Sequence, residues 1–174
     1  MLNNIQLTRL YGFVALAIVT CGCCLPLPAT GGEFMGILKK EPAYPFSGFS
    51  CQLFFKGEPA AHAKVIRSYE LASKNEKHEE FAVADAQGRF SFDSIVVQYR
   101  TPVLGPVEFL SRQRVFVEYQ GEEYPIWVGA KFDKGEYAEF GEKFRKLRCE
   151  LTEDIRRIDV KKSYYGTSCH WNDN

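Results

Sequence analysis

Six cysteines and three histidines are the side chains of this 174-residue chain whose types could make or break bonds, and their spacing divides them. Cys21, Cys23 and Cys24 crowd together near the start, whereas Cys51, Cys149 and Cys169 stand far apart. Cys51 alternates with Phe49, Leu53 and Phe55, the setting of a buried thiol that behaves as a small hydrophobe. To act as a nucleophile with His62, it would need that base within hydrogen-bond reach and a third group to orient it. Spacing supplies neither. Cys149 and Cys169 each fall in a strand-like pattern in the last quarter of the chain and are expected to form a disulfide. Closing a loop of about 20 residues stabilises a fold by about 3 kcal/mol in the chain-entropy model. His78 lies among Glu76, Glu79 and Glu80, which are metal-ligand types, but no second cluster at zinc spacing accompanies it. The expectation is therefore no catalytic residue, no metal and no cofactor.

The elements that hold these residues follow from composition and pattern. Charge balances at 22 basic and 22 acidic residues, which argues against a nucleic-acid partner, since that calls for a basic surface. Fourteen Phe, nine Tyr and two Trp favour strands. Phe49–Phe55 alternates at period two, and Lys56-Gly57-Glu58-Pro59 is its turn. Ala63, Val65, Arg67 and Tyr69 share one face of the next strand, and Ser73–Glu80 reads as a solvated loop. Phe81 and Val83 open a strand that Asp85-Ala86-Gln87-Gly88 turns into a hairpin with Arg89–Phe92. Gln113–Tyr119 and Tyr124–Phe132 form a further pair. Pro125 cannot donate to a ladder and indicates an edge or strand start, guarded by Glu118, Glu122 and Glu123. Tyr137, Phe140, Phe144 and Leu147 recur at helical spacing, with Gly141 weakening the helix and an irregular lead into a strand as the competitor. Ile158 and Val160 begin a late strand running toward Tyr165.

The start of the chain reads as an export signal: Arg9, then Leu10–Val19, apolar except for Tyr11 and Gly12, then small residues. The apolar run is half of the roughly 20 residues that a membrane span needs. A cysteine after a small residue at this point resembles the lipobox of bacterial lipoproteins, in which that cysteine is acylated and becomes the mature N-terminus. Cys23, preceded by Gly22, fits best; Cys21, with Ile18 three residues back, is the alternative. By that resemblance the absence of Asp at position 24 implies outer-membrane sorting. Removing residues 1–22 leaves about 150 residues, one ordinary domain. Residues 23–45, rich in Pro and Gly, read as a lipidated tether, and 46–174 as the folded domain.

Short strands with frequent turn signals and little helix imply an all-β sandwich. Lys56–Val65 resembles the opening motif of transthyretin-like and carboxypeptidase-regulatory-like domains, and Asp85–Phe92 resembles their hairpin, with Ala84 where that family has Thr. Trp127, Cys149-Glu150-Leu151, Tyr165-Gly166 and Cys169 are similar to a bacterial domain of unknown function within this sandwich group. The resemblance implies a transthyretin-like (prealbumin-like, Ig-like) antiparallel sandwich. It does not carry the hydroxyisourate hydrolase chemistry of some members, because Tyr164–Ser168 lacks the Arg of their C-terminal Tyr-Arg-Gly-Ser and six residues follow.

A small tethered sandwich without catalytic residues implies a binding module that is not an enzyme. The partner would be another protein at the cell envelope, with the membrane reached through a lipid anchor, on the outer membrane facing the periplasm. The resemblance offers an immunity protein against a periplasmic effector or a secretion-system scaffold. Tyr119, Tyr124, Trp127 and Trp171 are the interface candidates, being of the types that carry interface energy. A carbohydrate- or peptidoglycan-binding module, with Trp127 or Trp171 stacking on sugar, is the alternative. The basic residues among 143–162, interleaved with acids, read as a solvated strand face, with an acidic protein partner or anionic lipid head groups as the functional alternative.

Overall fold

A computed structural model describes residues 40–100, 108–141 and 143–171. The export signal, Cys21, Cys23, Cys24 and the tether up to residue 39 lie outside the described residues, as do Pro102, Gly105 and Pro106. No described helix is long and apolar enough to cross a membrane.

The described chain is an all-β sandwich of thirteen strands: β1 (Lys40–Phe46), β2 (Phe49–Phe55), β3 (Glu58–Pro59), β4 (Lys64–Leu71), β5 (Glu76–Val83), β6 (Arg89–Phe92), β7 (Ile95–Arg100), β8 (Ser111–Tyr119), β9 (Glu122–Lys131), β10 (Lys146–Glu150), β11 (Arg156–Val160), β12 (Ser163–Thr167) and β13 (Cys169–His170). One sheet runs β11-β12-β9-β8-β4-β5. In the second, β13 pairs with β10, β10 with β2, and both β3 and β6 with β2. β1 and β7 form a separate pair. Pairing is antiparallel except between β2 and β10, which run parallel.

Alternation builds the core. In β4 the residues Val65, Arg67, Tyr69 and Leu71 point inward, and in β8 Val115 and Val117 do so. From the second sheet come Phe49, Cys51, Leu53, Phe90, Phe92, Leu147 and Cys149. Phe49 packs against Phe46, Phe90, Phe92 and Phe140 with ring centres 5.8–6.0 Å apart. Each such apolar side chain contributes about 1.5–3 kcal/mol on burial.

Several expectations are corrected. Lys40–Pro45, expected in the tether, belongs to strand β1, which pairs with β7 despite its two prolines. Glu76–Glu80 is strand, not loop: β5 lies at a sheet edge, where charged residues meet water on the open side. Asp85–Gly88 does not close a hairpin. It carries the chain from β5 in one sheet to β6 in the other, where Phe90 pairs with Cys51. Gly88 has φ of +73°, and a Cβ there would collide with the carbonyl oxygen of Leu53. The helical spacing of Tyr137–Leu147 yields only a 3-10 turn, Ala138–Phe140, ending at Gly141 with positive φ. Lys161-Lys162 is a turn, so the late strand is the hairpin β11–β12. Pro125 sits at a bulge between β8 and β9, beyond the reach of β12. The true edges of the large sheet are β5 and β11, not the strands bearing Glu118, Glu122 and Glu123.

Candidate functional site

The outward face of the six-stranded sheet carries the most exposed apolar surface on a regular element. Phe81, Ile66 and Phe116 stand side by side across β5, β4 and β8, because Phe81 pairs with Ile66 and Ile66 with Phe116. Phe81 is 66 % exposed and Val83, next along its face, 56 %. Ile66 and Phe116 are half-buried. Ion pairs border this row on both sides. Lys64 Nζ lies 3.0 Å from Glu118 Oε2 and 5.9 Å from the centre of the Phe81 ring. On the other side Glu70 meets Arg112 at 3.2 Å and Lys77 at 3.7 Å, over a shallow groove also lined by Ser68, Glu79 and Arg114. An apolar strip within a charged rim is the anatomy of a protein-binding surface. β5 adds eight residues of strand edge, a template for an added strand.

The inward face of the same sheet holds charges. Glu139, in the 3-10 turn, and Lys131, at the end of β9, are fully buried and 2.6 Å apart. Glu139 Oε1 accepts hydrogen bonds from the Ser47 N–H at 2.8 Å and the Gln113 amide at 3.2 Å, and Oε2 accepts from the Ser47 hydroxyl at 2.9 Å. Burial lowers the Lys131 pKa, and Glu139 opposes that shift. Arg67 is buried between Phe92 and Phe46, with its guanidinium 4.4 and 5.2 Å from their ring centres. It donates to the carbonyls of Ser47 at 3.2 Å and Asp93 at 2.7 Å, and pairs with Glu80. Burial lowers its pKa too, against the pull of Glu80. With no atom of Lys131 or Glu139 reaching solvent, a ligand cannot touch them in this conformation. These residues lock β4, β8, β9 and the Ser47 corner together.

Cys149 and Cys169 are bonded across β10 and β13, where they are directly opposed. Cys51 is a buried free thiol with its pKa pushed far up by burial, and its sulfur faces Cys149, not His62. The three sulfurs lie within 4.8 Å of one another and form the group of metal-ligand type found among the described residues. Two of them are bonded to each other, so the group reads as a disulfide beside a thiol. His78 packs on the Tyr69 ring, its centre 5.6 Å away, and does not gather with Glu76, Glu79 and Glu80. His170 contacts Glu153 at 2.8 Å.

The four aromatic candidates separate. Trp127 is 2 % exposed, its indole N–H donates to the Gln113 side-chain oxygen at 3.0 Å, and Tyr165 covers its ring. It is a core residue and is withdrawn as an interface or sugar-stacking candidate. Trp171 is half-buried over Trp127 and Phe140. Tyr119 and Tyr124 flank Phe55 at another end of the sandwich, at 5.5 and 5.8 Å, and are partly exposed. The basic residues among 143–162 disperse: Arg148 stacks 3.5 Å over Phe54, Arg156 bonds the Cys169 carbonyl at 2.5 Å, and Arg157 pairs with Asp159. Sequence reasoning missed the Phe81–Ile66–Phe116 row, because pairing between strands, not order along them, assembles it.

Residues 49–154 match the model of a domain of unknown function, DUF6795. The chain belongs to that family. No curated protein and no solved structure matches it. The family region includes the outward row, Arg67, Lys131, Glu139, Cys51 and Cys149. It stops short of β11–β13, which extend both large sheets and supply Cys169.

Proposed function

We propose that this DUF6795 protein is a non-catalytic, exported lipoprotein whose sandwich holds another protein at the cell envelope. The observation that carries the reading is the exposed Phe81–Ile66–Phe116 row with Val83, bordered by the Lys64–Glu118 and Glu70–Arg112 pairs. Apolar side chains of this size at a solvent face mark interaction sites when they are contiguous. A transthyretin-like arrangement is the finer fold reading. It rests on the Lys56–Val65 motif, which leads from the β2–β3 turn into β4, and on Asp85–Phe92 at the crossover into β6. The lipid anchor is Cys23, with Cys21 as the alternative, and the localisation is the outer membrane facing the periplasm. The two versions of the function are an immunity protein against a periplasmic effector and a scaffold of a secretion complex.

The test has two arms. Labelled palmitate enters the wild-type protein and is lost in Cys23→Ser; label that survives in that variant but not in Cys21→Ser moves the anchor to Cys21. Affinity capture of the lipidated protein from its own envelope yields one stoichiometric partner, which Phe81→Glu fails to retain. A toxin that the protein neutralises selects the immunity version, and secretion machinery selects the scaffold. Recovery of cell-wall fragments alone, unchanged by Phe81→Glu, sinks the protein-binding reading.

A further inference from the structure

β10 lies between β13 and β2 in the second sheet, so Cys149 has a cysteine-bearing strand on either side. Antiparallel register sets Cys149 opposite Cys169. Parallel register sets Cys149 beside Leu53 and Leu147 beside Cys51, all on the inward face. The Cys51 sulfur is 3.1 Å from the Cys149 sulfur, closer than two sulfurs that merely pack. All three sulfurs lie within 4.8 Å of one another. A free thiol placed against one particular sulfur of a disulfide is the starting geometry of thiol–disulfide exchange, which runs through attack of a thiolate on a disulfide sulfur.

We propose that Cys51 is an exchange partner of the Cys149–Cys169 bridge, and that Cys149 is the shared sulfur of two alternative disulfides. The Cys51 thiolate attacks the Cys149 sulfur. A Cys51–Cys149 bond forms as the Cys149–Cys169 bond breaks, and Cys169 leaves as the thiolate that takes the proton Cys51 gave up. One disulfide and one thiol are present before and after, so neither an oxidant nor a reductant is consumed. Cys149 is the sulfur attacked because β10, which bears it, is the direct neighbour of β2, whereas β13 lies one strand further away.

The exchange moves the covalent tie. β2 and β10 already share a ladder of five paired residues, Lys146–Glu150 against Ser50–Phe54. Among the described residues β13 is joined to β10 by two pairs, Arg148 with His170 and Cys149 with Cys169. Transfer of the bridge to Cys51 therefore strips β13 of its covalent attachment and leaves a new thiol at Cys169. Trp171, next but one to it and resting on Trp127 and Phe140, is the aromatic that this release would expose. In the closed core burial keeps Cys51 protonated, so exchange is slow there and proceeds when β13 frays. The arrangement is a modification site: Cys169 becomes available to a thiol-reactive small molecule or a partner's cysteine only after the swap.

The experiment is disulfide mapping of the full chain held folded in native buffer without added redox reagent. The samples are alkylated, digested in acid and read by mass spectrometry. The expected result is a Cys51–Cys149 linked peptide growing in beside the Cys149–Cys169 peptide, while Cys169 takes up the label and Cys149 never does. In Cys169→Ser, mild oxidation should yield the Cys51–Cys149 bridge. In Cys51→Ser, the original bridge should persist with Cys169 unlabelled. A wild-type chain that keeps only Cys149–Cys169 overturns the proposal. So does a Cys51–Cys149 bridge that arises only in denaturant together with bridges to Cys21, Cys23 or Cys24, because that is random scrambling.

Discussion

The two faces of the six-stranded sheet reverse the usual division of residues. Inside lie Arg67, Lys131 and Glu139, each buried and each given several partners. Outside lie Phe81 and Val83, apolar and in water. The inward charges are costly to desolvate, so they survive only where hydrogen bonds surround them. The outward Phe81 and Val83 are largely left to solvent among the described residues, which is the ground on which the proposed partner is placed there. The contrast teaches that charge alone is a poor guide here: the most conspicuous ionic cluster is a structural lock, and the surface we propose for binding is the apolar row between surface ion pairs.

This comparison can be broken most directly at Glu139. Glu139→Ala leaves Lys131 buried without its counter-charge and should cost about 3–5 kcal/mol in urea unfolding. The double change Lys131→Met with Glu139→Leu should recover most of that. If the single variant unfolds like wild type, the inward charges are not the lock. The covalent tie comes next. Cys149→Ala removes the loop of about 20 residues and should lower stability by about 3 kcal/mol, whereas Cys51→Ala keeps the bridge and should lower it by less.

A smaller effect is expected at the rim of the second sheet. Glu150 accepts the Lys56 and Gly57 N–H groups, each at 2.9 Å. Burial pushes its carboxyl up, but hydrogen bonds from Thr152, Gly57 and Lys56 outweigh that and hold it below the ordinary carboxylate range. A group lowered in the folded state stabilises above its unfolded pKa, and that contribution is lost as pH falls through the folded value. The acid limb of stability against pH should therefore flatten in Glu150→Gln, and an unchanged limb would assign the acid sensitivity elsewhere. The smallest effect on stability should come from the outward face. Phe81→Ser with Val83→Thr should stay within about 0.5 kcal/mol of wild type, while capture of the partner is lost. A large loss of stability there would make the row a packing element and erase the contrast between the faces.

The fold class was legible because alternation at period two is local: Phe49–Phe55 and Gln113–Tyr119 each declare an inward face from their own residues. Arg67 was legible in part, since it shares the parity of Val65 and Tyr69, but its burial between Phe46 and Phe92 depends on two other strands. The edge at β5 was misread as a loop because Glu76–Glu80 carries the charges that water-facing segments carry in either state. The hairpin expected at Asp85–Gly88 failed because a tight turn fixes a change of direction and not which sheet receives the next strand. Trp127 was placed among surface aromatics for its residue type. Gln113, reaching it from β8, gives its indole N–H a buried partner, a contact that strand order alone does not show.

By itself the sequence determined the strand-rich character, the inward parity of strands such as β2, β4 and β8, and the candidacy of Cys149 and Cys169 for a bridge, because propensity, alternation and cysteine content are written in neighbouring residues. Tertiary structure alone decided that β2 pairs in parallel with β10, bringing Cys51 against Cys149. It alone decided that Ser47, Gln113, Lys131 and Glu139 meet in one buried cluster. It alone decided that Phe81, Ile66 and Phe116 form one row. These contacts join residues far apart in the chain, and register between strands is set by the packing of the whole core, not by any one segment.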